Sequence, residues 1–111
     1  MNKVLPFPTS LDSQLRFAIA NKRLLRFRYD AAVRVAEPHD YGVRKGETKL
    51  LVYQRDKAGR KTEDARGWRS LDTAKITDCV VLDDTFAGSR QEANQEHQQW
   101  DVLYARVGET T

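Results

Sequence analysis

The seven residues LLRFRYD, Leu24 to Asp30, constrain the fold more than any other stretch of the chain. Leu25, Phe27 and Tyr29 occupy every second position with Arg26 and Arg28 between them, and a period of two marks a strand with one buried and one wet face. A helix would scatter those three apolar side chains around its circumference.

Strand signals continue downstream. A turn at DAA, Asp30 to Ala32, leads into VRVAEPHDYGV, where Val33 and Val35 alternate with Arg34 and Pro38 marks a strand end, a bulge or an edge. RKGET around Gly46 reads as a tight turn into TKLLVYQR, Thr48 to Arg55. There Leu51 and Tyr53 fall on one face and Leu50 and Val52 on the other, so this strand is predicted to be covered on both sides, one of them by a helix. RDKAGRKTEDARG is a polar hairpin tip or loop before WRSL. Asp72 to Lys75 can form one helical turn, and ITDCVVLDDTF is a last strand with Ile76, Val80 and Leu82 as core candidates.

Helices flank these strands. Thr9 or Ser10 can cap a helix that begins at Leu11, with Asp12 in its first turn and Leu11, Leu15, Ala18 and Ile19 at helical spacing. Asn21 to Arg23 supply a cationic stop. Near the other end Ala93, His97, Trp100, Leu103 or Tyr104, and Val107 approach helical spacing and predict a second helix with a narrow apolar stripe.

At 111 residues the chain has interior for one core. The expected architecture is mainly β with flanking helices: a small, strongly bent antiparallel sheet or partly open barrel of about five strands, with an N-terminal and a C-terminal helix. Residues 1–10 form a leader, 11–86 the barrel domain with its leading helix, and 87–111 a C-terminal helical extension.

Composition narrows the function classes. Apolar runs such as Leu50 to Tyr53 fall far short of the ~20 residues that span a bilayer, and Pro6 and Pro8 interrupt any signal-peptide core, so a cytoplasmic location is expected. Cys79 is the only cysteine; it cannot form an intramolecular disulfide, and in a strand it is expected to be a buried position rather than a reactive thiol. The net charge of +3 is unevenly spread. Arg16 to Arg69 hold 15 lysines and arginines against 7 acidic residues, so the middle of the chain would draw an anion.

The order of these pieces, LRFAIANKR, LLRFRYD, RVAEPHDYGV, TKLLVYQR and WRSLDTAKITDCVVLDD, resembles the WYL domain over Leu15 to Leu82. The resemblance implies an Sm-like small barrel of the kind that senses ligands in bacterial transcriptional regulators, with nucleic acids or nucleotides as the ligand class. The family's strand tyrosine falls on Tyr29, its arginine ahead of the proline on Arg34, and its proline on Pro38. Its Trp-Tyr-Leu tripeptide falls on Lys49-Leu50-Leu51, where only the leucine is kept. The first ten residues are too short for a helix-turn-helix, so a divergent stand-alone sensor domain is expected.

The candidate ligand-binding residues are Arg26, Arg28, Tyr29, Arg34, His39, Tyr41, Lys49 and Arg69. Guanidinium groups in a row grip phosphate oxygens, and an adjacent aromatic can stack a base. Tyr41, in PHDYG, is expected to be the more exposed stacking surface. The plain alternative for the arginines is the solvated face of an amphipathic sheet, and for Tyr53 and Trp68 it is packing. His39 with Asp40 offers the raw materials of an acid/base or metal pair, but no P-loop, nucleophile elbow, HExxH or catalytic carboxylate pair accompanies it. The expectation is therefore a regulatory binding module for an anionic ligand, with no catalytic residue, metal or cofactor. A second possibility is a protein-interaction module, a homodimer or a dock for a separate regulator through a strand edge and the C-terminal helix.

Overall fold

The structure is a computed structural model that describes residues 10–58, 65–90 and 100–108. Helix α1, Leu11–Asn21, begins where Ser10 turns its hydroxyl back to accept the Ser13 N–H at 3.1 Å. It ends at Lys22, which adopts a left-handed backbone with φ of 55° and closes the last turn. Leu15, Ala18 and Ile19 are its buried face.

Six antiparallel strands follow: β1 Arg23–Tyr29, β2 Ala32–Arg44, β3 Glu47–Lys57, β4 Gly67–Asp72, β5 Thr77–Thr85 and β6 Val102–Arg106. They form one sheet in the order β4-β3-β2-β1-β5, which does not close on itself. β2 is long enough to share one edge between two partners. Its first residues pair with β1, and Asp40 to Val43 pair with β6. The predicted turns are present: Asp30 and Ala31 both have positive φ, as do Lys45 and Gly46, and Asp72 caps the short 3-10 turn Thr73–Lys75.

Leu25, Phe27 and Tyr29 are buried while Arg26 and Arg28 are exposed, as period two requires. With Ala36, Tyr41, Leu50, Val52, Leu71, Ile76 and Val107 they form the core against α1. β3 is buried on both faces, since Leu51 is covered as well. On the side that Leu51 shares with Tyr53, the described residues of the segment after β5 lie against β2 and β3. Phe86 lies against His39 with ring centroids 5.6 Å apart, and Arg90 lies over the Tyr53 ring.

Two expectations are corrected. Val80 is exposed and Leu82 only half-buried; Cys79 and Val81 are the β5 residues packed against the core. The cause is a bulge: Arg28 pairs with Thr77 and Arg26 with Val80, so β5 carries one extra residue there, with Asp78 at φ 52°. One extra residue reverses which side chains face inward.

The second correction concerns the C-terminal helix. Residues 91–99 lie outside the described residues, and Val102–Arg106 is strand rather than helix. Leu103, Ala105 and Val107 alternate inward with Val102 and Tyr104 outward. The edge of β2 beyond the end of β1 offers that segment a ladder of hydrogen bonds, and Gly42 allows close approach. A Cβ at Gly42 would lie 2.1 Å from the Val102 carbonyl oxygen.

Candidate ligand surface

The eight candidate residues divide by burial and by neighbourhood. Arg26 and Arg28 point to solvent from β1 and line a cavity of about 230 Å³ with Phe27, Val33, Asp78 and Val80. Arg28 pairs loosely with Asp78 at 3.7 Å, both side chains at least half exposed. The bulge that turns Val80 outward therefore also builds this groove, an apolar floor between guanidinium groups. Val33, Asp78 and Val80 were not legible as site residues, because the register shift at Asp78 decides which face they share.

Tyr29 gathers a second group. Its hydroxyl accepts the Asp72 N–H at 3.0 Å, and Arg34 and Lys75 approach its ring at 5.1 and 5.7 Å. Arg34 is itself buried, so it is not placed to meet a ligand from solvent. Its Nε and Nη2 donate to the Tyr29 carbonyl at 3.3 and 3.1 Å, and Nη1 donates to Gln54 Oε1 at 3.1 Å. Gln54 passes the chain on to the Ala65 carbonyl. This arginine organises the junction of β1, β2 and β3.

Lys49 stands at the tip of the β2-β3 hairpin, lining a cavity of about 220 Å³ with Arg44, Lys45 and Glu47. Glu47 takes its ammonium at 3.1 Å, and that hydrogen bond raises the Lys49 pKa above the ordinary lysine value against a small desolvation effect. Arg69 is half-buried on edge strand β4 and donates to the Trp68 carbonyl at 2.9 Å.

The remaining two candidates are interior. Tyr41 is 5% exposed, contrary to the expectation of an open stacking surface. Its hydroxyl donates to Asp12 Oδ1 at 2.7 Å and its ring meets Tyr104 edge to face at 5.1 Å. A strand residue lying under both α1 and β6 cannot be recognised as covered from its local sequence. His39 is fully buried at the bulge between Pro38 and Asp40. Its ring packs edge to face on Trp68 at 4.8 Å, and Nδ1 donates to the Glu37 carbonyl at 3.0 Å. That bond leaves Nε2 as the unprotonated nitrogen. Desolvation lowers the His39 pKa below the ordinary histidine value, partly offset by the Glu37 carbonyl and the charges of Glu37 and Asp40. Asp40 is also fully buried and is held by Arg106, whose Nε and Nη2 reach its two oxygens at 3.0 and 3.1 Å. His39 and Asp40 are thus separately engaged rather than paired as an acid and base.

Cys79 is half-buried and packs against the core, and burial pushes its thiol up to about 11. Among the described residues no helix is long and apolar enough to cross a membrane.

No protein-family model matches the chain, and no curated protein matches it. Among solved structures it is similar to proteasome accessory factor B/C (PafBC) of Arthrobacter aurescens, with a TM-score of 0.56 and 20% sequence identity. The likeness covers 79% of this chain and 14% of that one, so the chain spans about a seventh of PafBC's length. At that identity the likeness is one of fold.

Proposed function

We propose that the chain is a divergent regulatory binding module of the WYL type, holding an anionic ligand of the nucleic-acid class on the outer face of β1 and β5. The observation that carries the reading is the groove in which exposed Arg26 and Arg28 flank Val33 and Val80. Guanidinium groups supply phosphate contacts, and the apolar floor suits a sugar or base face. The excess of cations over Arg16 to Arg69 supports it. The fold-level likeness to PafBC, which contains a WYL domain, agrees with the sequence resemblance.

The test is fluorescence anisotropy with a labelled single-stranded oligonucleotide between 50 and 200 mM salt, values chosen on the order of the usual counterion-release range. Affinity should fall with salt, and the double variant Arg26→Ala/Arg28→Ala should flatten the log–log slope by about 1.4, roughly 0.7 for each phosphate no longer neutralised. Salt-independent binding, or a double variant that binds like the parent, would sink the proposal.

A second reading, a protein-interaction module, is favoured by a different observation. Among the described residues β4, β5 and β6 each pair on one side alone, and Val102 and Tyr104 of β6 are exposed at 49% and 38%. Homodimerisation, or docking to a separate regulator, would use such surfaces. A monomeric mass across a hundredfold concentration range, about 1 to 100 μM to bracket ordinary transient affinities, would count against self-association.

A further inference from the structure

Glu37 and Tyr53 are cross-strand partners on β2 and β3, and Arg90 lies on both. Its Nε and Nη2 each donate to a different Glu37 oxygen at 2.9 Å, while its guanidinium carbon sits 3.6 Å from the centre of the Tyr53 ring. Trp68 closes the side of the recess, its ring perpendicular to Tyr53 with centroids 5.5 Å apart. Arg55 approaches the same carboxylate at 3.7 Å.

Exposure is graded across this arrangement. The Glu37 side chain is 4% exposed and that of Arg90 is 34% exposed, so the carboxylate is the floor and the guanidinium enters from the solvent side. All the recognising groups belong to the sheet, whereas Arg90 arrives from Ala87 to Arg90, a stretch in no helix or strand. Lifting it out therefore breaks no strand ladder. A two-oxygen acceptor beside an aromatic face matches a planar guanidinium and not a rounded ammonium.

We propose that Glu37, Tyr53 and Trp68 form an arginine-recognition seat, filled in cis by Arg90, that takes the arginine side chain of a partner polypeptide when Arg90 is displaced. The seat is separate from the Arg26/Arg28 groove, and neither depends on the other. Arg90 acts as the resident competitor and sets the threshold for a partner. Arg55 keeps the buried carboxylate from being left without a cation during the exchange.

The experiment uses the full chain with Arg90→Ala, titrated with the peptide acetyl-Gly-Arg-Gly-amide and with its lysine counterpart, followed by tryptophan fluorescence and thermal midpoint. The variant should bind the arginine peptide at least about tenfold more tightly than the parent does, and about tenfold more tightly than it binds the lysine peptide. Adding Glu37→Gln should abolish that binding. Equal binding by parent and variant, no preference for arginine over lysine, or binding that survives Glu37→Gln would each overturn the proposal. Should Arg90→Ala fail to fold, refolding is attempted in ethylguanidinium and in ethylammonium. Recovery in the former alone supports the seat, and recovery in neither or in both overturns it.

Discussion

The Tyr41 hydroxyl donates to Asp12 Oδ1 at 2.7 Å and fastens the middle of β2 to the first turn of α1. This bond is the chief reason the Asp12 carboxyl titrates below its ordinary value, with Arg16 reinforcing it and partial desolvation opposing. A carboxyl depressed in the folded state contributes stability above its unfolded pKa of about 4, and that contribution is lost as pH falls through the folded value. Tyr41→Phe should therefore cost about 0.5–1 kcal/mol at neutral pH, modest because Asp12 is half exposed, and the difference from the parent should vanish in acid. Urea midpoints at a series of pH values measure it.

His39 carries an acid sensitivity of the same sign at higher pH. A histidine held neutral in the fold binds its proton more readily when unfolded, so its contribution is complete above the unfolded value of about 6.5 and declines as pH falls below it. The limiting slope is about 1.4 kcal/mol per pH unit. His39→Phe, which keeps a ring against Trp68 and Phe86, should remove that slope between mildly acidic and neutral pH while unfolding at a similar midpoint in acid. Identical slopes in the two proteins would show that His39 does not titrate on unfolding.

Arg34 and Arg26 should separate stability from binding. Arg34→Ala strips the donor from Gln54 Oε1 and the Tyr29 carbonyl in a buried setting, an expected loss of about 2–4 kcal/mol. Arg26→Ala, on the exposed face, should change stability by less than about 0.5 kcal/mol. Chemical denaturation of both variants decides between this assignment and one in which Arg34 serves a ligand.

Gly42→Ala tests the β2-β6 junction. With the Val102 oxygen 2.1 Å from the new Cβ, β6 must move away, at a cost of about 1–3 kcal/mol. Amide exchange should quicken at Val102 to Arg106 before it changes in β1. Unaltered protection there would mean the junction accommodates a side chain.

The strands β1 to β5, the capped helix α1 and the turns at Asp30 and Gly46 were legible in the sequence because each rests on local physics: period-two burial, a hydroxyl cap, and backbone conformations that particular residues tolerate. The exposure of Arg26 and Arg28 followed from the same alternation. Three features were not local. β6 takes its conformation from an edge of β2 some 60 residues away, and Trp100, Leu103 and Val107 fit a helix just as well until that edge is present. Val80 faces solvent because one bulge at Asp78 reverses the alternation, a shift that the strand's own composition does not encode. The third is that like residues met unlike fates: Arg26 and Arg28 line an open groove, while Arg34 is buried. Tyr41 and His39 are buried too, and Arg90 is drawn onto Glu37. Alternation says which side of a strand a residue is on, but only the packing of α1, β6 and the segment after β5 decides whether that side is covered.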